Sequence, residues 1–281
     1  MYKRQENICF GGCAWAVPFY SGVYRALVEV YGYDTLKTWN ACCVSGSSLV
    51  ALAITTGVSH DDVDMIIQKV FEIANIYGTT CSFPFLQHFA LECLFKLRGS
   101  RVEEINPRLH IAVSDFYNKL VIKNNFTDNR ELFKYLYSTA HIPFYTTTLE
   151  SLNMSLLDGG VACNLPKFKE RTLYVSVADK HAHVNMFDQV STLDLFYAAT
   201  PDRYQDLKHI GYHRTKDFLD ACSKTEITPT IKHYHNNFIP ALAWVCFWYD
   251  KYIVIKSKRL FKKLVMQFLK RFDRYILSIA L

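Results

Sequence analysis

Short apolar runs alternate with longer amphipathic stretches along roughly the first 180 residues of the chain. Residues 7–10, 39–44 and 172–178 are short and almost uniformly apolar, which is typical of buried strands. Residues 109–115 and 119–123 flank a short turn, a pattern that predicts a hairpin. These segments are therefore predicted to be strands of a sheet.

Helical periodicity fills the intervals between the predicted strands. The stretch after Gly12 places Phe19, Val23 and Leu27 on one helical face. Further helices are predicted at residues 49–55, 61–77 and 131–139. Strands interleaved with helices predict an α/β layered fold. Beyond about residue 180 the pattern becomes mostly helical and more basic, which predicts an extension to that fold.

Composition and charge narrow the possible functions. Half of the 281 residues are hydrophobic, so the chain can bury a large core. Residues 251–274 hold nine Lys or Arg and one acid, a net charge of +8, which leaves the rest of the chain at −2. A body without net positive charge is not expected to bind nucleic acid. The nine cysteines lack zinc-ligand spacing, so no metal is expected.

A candidate nucleophile lies in residues 42–52, which read as an apolar strand, a tight turn at Gly46 and a helix. This is the context of a nucleophile elbow, where a serine hydroxyl leaves the sheet and the next N–H groups stabilise negative charge. Counting two residues on from Gly46 makes Ser48 the predicted nucleophile. Val50 then stands where the usual Gly-x-Ser-x-Gly pattern has its last glycine. The alternative is a serine that only caps the helix.

Two more glycine-containing turns could serve such a serine. Asp158 begins an Asp-Gly-Gly turn after an apolar pair and could present a carboxylate at a strand end. Gly11 and Gly12 follow the first predicted strand and could direct backbone N–H groups at the oxyanion of a tetrahedral intermediate. The alternatives are a simple turn for Asp158 and a phosphate-binding loop or tight turn for the glycine pair. The fingerprints of nucleotide-binding loops are missing, so no cofactor is expected.

These three segments, in this order and spacing, resemble the patatin-like phospholipases, and among them the adipose triglyceride lipase and adiponutrin branch. The resemblance rests on the segments FGGCAWAVPFYSGVYRAL, VSGSSLVAL, STAHIPFY and LLDGGVACNLP. It implies a three-layer α/β/α acyl-hydrolase domain at residues 7–180, built around a mostly parallel sheet. A mostly helical, basic extension at residues 181–281 would follow.

The resemblance also implies a chemistry, the hydrolysis of phospholipid or acylglycerol esters by a Ser–Asp dyad without histidine, metal or cofactor. Ser48 would be the nucleophile and Asp158 the base. Backbone N–H groups would form the oxyanion hole at Gly11, Gly12, Cys13 and Ala14. A free aspartate is a weak base at neutral pH, so burial must raise the pKa of Asp158. Val50, where many patatin-like proteins have glycine, keeps open the alternative of a catalytically weak lipid-binding or regulatory protein.

The basic C-terminal segment predicts contact with a membrane or lipid-droplet surface. Its apolar residues recur at helical spacing between Lys and Arg, as suits an anionic lipid surface: Leu260, Phe261, Leu264, Val265, Phe268, Phe272 and Ile276. The alternative is a helix that packs on the domain. The polar opening MYKRQEN lacks the apolar region of a signal peptide, and the longest apolar run, residues 238–249, is too short to span a bilayer. An intracellular, peripheral location is therefore expected.

Overall fold

The computed structural model describes residues 6–77, 83–97, 99, 101–115, 117, 119–142 and 156–224. Within these ranges a seven-stranded sheet forms the centre of the fold. Its strands are β1 (Asn7–Phe10), β2 (Asn40–Val44), β3 (Leu109–Asp115), β4 (Leu120–Lys123), β5 (Leu156–Asp158), β6 (Thr172–Ser176) and β7 (Val184–Asn185).

The strand order is β4-β3-β2-β1-β6-β7, with β5 also paired to β3. Neighbours from β3 through β7 along this path are parallel, whereas β4 and β5 each run antiparallel to β3. The predicted hairpin is confirmed as β3 and β4, and the predicted α/β class is confirmed. Parallel neighbours require crossover connections, which the helices between the strands provide.

The helices are α1 (Val17–Tyr31), α2 (Tyr33–Leu36), α3 (Ser48–Thr56), α4 (His60–Tyr77), α5 (Phe83–Leu97), α6 (Val102–Ile105), α7 (Asn129–Ser138), α8 (Gly159–Ala162), α9 (Thr192–Phe196) and α10 (Pro201–Lys224). The helices predicted at residues 49–55, 61–77 and 131–139 are confirmed as α3, α4 and α7. In the part of the chain described, no helix is both long enough and apolar enough to cross a membrane.

Side chains of the strands alternate between two apolar clusters on opposite faces of the sheet. Ile8 and Phe10 of β1 belong to the main core, which also contains the buried faces of α1, α3, α4 and α5. Cys9, between them, points to the other face and packs with Cys42 and Leu165 in a small second cluster. The period of two along β1 places the large helices against one face of the sheet.

Helix α10 lies directly on α1 through two glycines. A Cβ on Gly22 would overlap the backbone of α10, and one on Gly211 would overlap the backbone of α1. Strand β7 extends the sheet beside β6. Both β7 and α10 follow residue 180, so the boundary predicted there falls inside one packed unit. The remainder of the predicted extension, residues 225–281, lies outside the described residues.

Candidate active site

Strands β2 and β5 run toward each other along the same edge of β3. The last pair of β2 with β3 is Val44 with Ala112, and the last residue of β5, Asp158, pairs with Val113. The other edge of β3 is occupied by β4 over the same stretch. The chain segments that follow Val44 and Asp158 therefore leave the sheet at one point, although they are far apart in sequence.

Ser45 is the first residue after β2 and has an unusual backbone conformation. Its φ is +60°, a left-handed value that is uncommon for a residue other than glycine and is often found at functional sites. Ser45 begins a short 3₁₀ turn that ends at Ser47, and α3 starts at Ser48. The arrangement of strand, sharp turn and helix is that of a nucleophile elbow, with Ser45 at the turn.

Asp158 is fixed at the end of β5 by several hydrogen bonds. Its Oδ1 accepts from the N–H of Gly160 at 2.7 Å, and its own N–H donates to the carbonyl of His141 at 2.9 Å. The Ser114 hydroxyl donates to the Asp158 carbonyl at 2.8 Å. Oδ2 is buried and has no hydrogen bond of regular geometry to any described residue. One carboxylate oxygen is thus held in place while the other stays open as an acceptor.

Burial raises the pKa of Asp158 to about 7. The Ser45 hydroxyl and the Gly160 N–H lower this pKa by hydrogen bonding to the carboxylate, but they offset only part of the cost of desolvation. The side chain is 3% exposed. A carboxyl group with a pKa near neutrality is a far better base at pH 7 than a free aspartate. The dyad hypothesis required a shift in this direction.

The structure brings Ser45, rather than Ser48, to Asp158. Of the serine hydroxyls in the elbow, only that of Ser45 contributes to the pKa of Asp158. Ser48 lies three residues further on as the first residue of α3 and is completely buried. This favours Ser45 over the predicted Ser48 as the serine that partners Asp158. The predicted register counts from Gly46, whereas the left-handed turn begins at Ser45, directly after the end of β2.

When Ser45 is aligned with the serine of the Gly-x-Ser-x-Gly pattern, Ser47 occupies the position of the last glycine. Its hydroxyl donates to the Val44 carbonyl at 2.7 Å and accepts from the Val44 N–H at 3.1 Å. Ser47 is fully buried, so this position accommodates a small side chain whose polar atom is satisfied. Val50, which the predicted register placed in the elbow, instead lies fully buried inside α3 as part of the main core.

Gly46 brings the loop after β1 against the elbow. A Cβ on Gly46 would lie 2.8 Å from the carbonyl oxygen of Ala14 and 3.1 Å from Sγ of Cys13. Any larger residue would push this loop away from Ser45. Gly46 therefore has a physical role in the elbow. Because it has no side chain, the backbone after β1 can lie directly against it, beside Ser45.

Two of the four predicted oxyanion residues use their N–H groups elsewhere. Gly11 donates to the Val175 carbonyl at 2.9 Å, and Gly12 donates to the Asn164 carbonyl at 3.1 Å. These two N–H groups are not available to an oxyanion, which corrects that part of the prediction. Gly12 instead ties the loop to the segment after α8 and allows it to approach closely, because a Cβ there would lie 2.7 Å from Oδ1 of Asn164.

Cys13 and Ala14, the other two predicted residues, keep their N–H groups free of backbone carbonyls in the described structure. Both lie against Gly46, and Ala14 has a φ of +45° that turns the chain sharply at this point. The N–H groups of Cys13, Ala14 and Gly46 are thus candidate oxyanion donors beside Ser45. Burial and the nearby Asp158 carboxylate raise the pKa of the Cys13 thiol well above its usual value, so it stays protonated and is a poor competing nucleophile.

Sequence reasoning missed three residues that build the site. Thr139 accepts the N–H of Ser45, His141 accepts the N–H of Asp158, and Ser114 holds the turn after β5. Thr139 and His141 belong to the segment STAHIPFY, which supported the family resemblance without having a role. Phe144, an aromatic of that segment, lies outside the described residues. Over the described ranges, no cluster of three or more His, Cys, Asp or Glu side chains could hold a metal ion.

Comparison with known proteins adds little beyond this geometry. No family model and no curated protein matches the chain. VipD from Legionella pneumophila is 9% identical with a TM-score of 0.49, over 98% of this chain and 80% of that one. A chain from the SpcU–ExoU complex of the Pseudomonas aeruginosa type III secretion system is 13% identical with a TM-score of 0.44, over 79% of this chain. The type III effector ExoU is 11% identical with a TM-score of 0.44, over 98% of this chain.

This chain spans 53% and 65% of the two chains from the ExoU structures. Likenesses at this level carry no argument about the fold or the chemistry of this chain. The functional argument therefore rests on the residues of the site itself.

Proposed function

We propose that this chain is a serine acyl-hydrolase of lipid esters, in which Ser45 is the nucleophile and Asp158 is the base. The observation that carries the proposal is the contact between the Ser45 hydroxyl and a buried carboxylate whose pKa is raised to about 7. A serine at a strained strand-to-helix turn, paired with a base of this pKa, is suited to acyl transfer. A lipid ester is favoured by the resemblance to patatin-like phospholipases.

In the first half of the reaction, the ionised Asp158 carboxylate takes the proton of the Ser45 hydroxyl. Oγ of Ser45 then attacks the ester carbonyl carbon, and the carbonyl oxygen becomes an oxyanion. The N–H groups of Gly46, Cys13 and Ala14 stabilise this charge. As the tetrahedral intermediate collapses, the ester C–O bond breaks and the protonated Asp158 returns its proton to the leaving alcohol.

In the second half, water attacks the acyl group on Ser45 while Asp158 accepts a proton from that water. Collapse of the second tetrahedral intermediate breaks the bond between the acyl carbon and Ser45, and the serine recovers its proton. The products are a free acid and an alcohol. The dyad needs no histidine, because burial has already moved the pKa of Asp158 into the range where it can both accept and return a proton.

We also propose that the enzyme works at a membrane or lipid-droplet surface, with the basic segment of residues 251–274 as its contact. Support comes from the charge of +8 in that segment against −2 elsewhere. A lipid substrate is insoluble in water, so attachment to the surface would bring the dyad to its ester. This part of the proposal concerns residues outside the described structure and has its own test below.

The hydrolase proposal is tested by removing the base. Asp158→Asn keeps the shape of the side chain but cannot accept the serine proton, so kcat for a soluble p-nitrophenyl ester should fall by about 10² or more. Asp188→Asn is the matched control, because the Asp188 side chain is 60% exposed and pairs with Arg214 away from the elbow. Folded Asp158→Asn protein that hydrolyses the ester within a few-fold of wild type would remove Asp158 from the mechanism.

A further inference from the structure

The meeting point of β2 and β5 leaves two buried backbone groups that the sheet itself cannot pair. Strand β2 ends opposite Ala112, and β5, running the other way, ends opposite Val113. The Ala112 carbonyl and the Ser45 N–H lie at this interruption of the ladder. Unpaired polar groups at such a buried position would cost stability, so a partner from outside the sheet is required.

The hydroxyl of Thr139 supplies that partner for both groups. Its Oγ1 donates to the Ala112 carbonyl at 2.6 Å and accepts from the Ser45 N–H at 2.9 Å. Thr139 is fully buried and caps the C-terminal end of α7, where its own N–H donates to the Tyr135 carbonyl. A threonine hydroxyl has one proton and two lone pairs, which suits this bridging position.

The same short segment also holds the base. His141, two residues after Thr139, accepts the N–H of Asp158 at 2.9 Å, while its own N–H donates to the Ser138 carbonyl at 3.0 Å. One end of α7 thus contacts the backbone of the nucleophile through Thr139 and the backbone of the base through His141. The strands that carry these residues to the site, β2 for Ser45 and β5 for Asp158, do not pair with each other in the described structure.

We propose that residues 139–141 form a clamp that sets the distance between nucleophile and base, and that Thr139 is its positioning residue. The proposal rests on the function proposed above. The bond from Thr139 holds the Ser45 N–H while φ of Ser45 stays at +60°. Without it, Ser45 can relax toward an ordinary backbone conformation, and its hydroxyl then moves away from the Asp158 carboxylate.

Two consequences distinguish positioning from general support of the fold. A displaced Ser45 slows the chemical step without altering substrate binding, so kcat falls while KM stays nearly constant. The Ser45 hydroxyl also lowers the pKa of Asp158. Losing that contact should raise the pKa further, which moves the acidic limb of the rate profile to higher pH.

The test compares Thr139→Val, Thr139→Ser and Thr215→Val in the full chain. Valine keeps the shape but removes the hydroxyl, whereas serine keeps the hydroxyl. Thr215 is the matched control, because it is also fully buried and its hydroxyl donates to the Gly211 carbonyl in α10. Steady-state kinetics on a soluble ester, a pH–rate profile and a urea unfolding curve are measured for each protein.

Thr139→Val should lower kcat by about 10- to 100-fold with KM within about two-fold, and should shift the acidic limb upward. Thr139→Ser should stay within a few-fold of wild type. Thr215→Val should lower stability but leave kcat and the limb unchanged. The clamp is overturned if Thr139→Val keeps the wild-type kcat, or if Thr139→Ser loses as much activity as Thr139→Val.

If the hydrolase proposal is wrong, the wild-type protein will hydrolyse no ester, and this result is distinct from failure of the clamp. The clamp is then decided by NMR titration of the ¹³C-labelled Asp158 carboxyl, which needs no turnover. A higher Asp158 pKa in folded Thr139→Val than in wild type supports the clamp, whereas an unchanged pKa overturns it.

Discussion

The Ser45 hydroxyl lies close enough to the Asp158 carboxylate to lower its pKa, at the point where β2 and β5 meet end to end on β3. The two side chains are 4% and 3% exposed, so the interaction takes place away from bulk water. Burial makes the carboxylate more basic, and the hydroxyl is its neighbour in the elbow. The proposed reaction depends on both features, and each can be tested separately.

Ester hydrolysis should depend on pH through the ionisation of Asp158. The carboxylate is the proposed base, and burial raises its pKa to about 7. The rate at limiting substrate should therefore rise tenfold per pH unit below about 6 and level off above about 8. The profile is measured with a soluble ester between pH 5 and 9. A rate already constant from pH 5 upward would mean that the base has an ordinary carboxyl pKa.

The stability of the fold should change with pH in the opposite direction to the rate of hydrolysis. The folded protein binds the Asp158 proton more tightly than the unfolded chain does, since the pKa rises from 3.8 to about 7 on folding. The free energy of unfolding therefore falls as pH increases from about 4 to 7, and at pH 8 the penalty is on the order of 4 kcal/mol. Asp158→Asn removes this penalty.

The measurement compares urea unfolding of wild type and Asp158→Asn at pH 5 and pH 8. The stability of the variant relative to wild type should be greater at pH 8 than at pH 5 by a few kcal/mol. Asp188→Asn should show no such gain, because its exposed carboxylate has a pKa lowered by Arg214. An equal difference between wild type and Asp158→Asn at both pH values would show that Asp158 titrates normally.

The pattern of apolar runs was sufficient to predict β1, β2 and the hairpin of β3 and β4, because each run is bounded by glycine or polar turn residues. It could not locate the end of β2 to within one residue. Cys43, Val44 and Ser45 are all compatible with a strand, and Gly46 drew the register toward Ser48. Only the pairing of Val44 with Ala112 shows that the turn begins at Ser45.

Two of the four predicted oxyanion donors, Gly11 and Gly12, were mispredicted for a related reason. Pairing of β1 with β6 continues one residue past Phe10, so that the N–H of Gly11 is taken by Val175. Gly12 is bound by Asn164, which lies more than 150 residues later in the chain. No local pattern in a sequence reveals such long-range hydrogen bonds. The same applies to Thr139 and its two partners.

The basic C-terminal segment is predicted to bind anionic lipid. Each Lys or Arg near such a surface contributes about 1 kcal/mol, and salt screens the attraction. Lys262, Lys263, Lys270 and Arg271 changed together to Gln should therefore weaken sedimentation with phosphatidylserine-containing vesicles, as should truncation after about residue 250. Hydrolysis of a soluble ester should survive both changes.

A matched control changes four exposed basic residues of the body to Gln: Lys37, Lys96, Arg101 and Arg130. This variant should bind vesicles like wild type, because the body lacks net positive charge. Equal vesicle binding by wild type and the tail variants would refute docking through the tail. Unfolding of the truncated protein, or loss of soluble-ester hydrolysis with it, would show instead that the segment packs on the domain.

The identity of the nucleophile is tested most directly by mapping a covalent adduct. A fluorophosphonate reacts with an activated serine, and tandem mass spectrometry of the digested protein can distinguish Ser45, Ser47 and Ser48 on one peptide. We expect the adduct on Ser45 in wild type, no adduct in Ser45→Ala, and an undiminished adduct in Ser48→Ala. An adduct on Ser48 that persists in folded Ser45→Ala, or a wild-type protein that forms no adduct at all, would contradict the account.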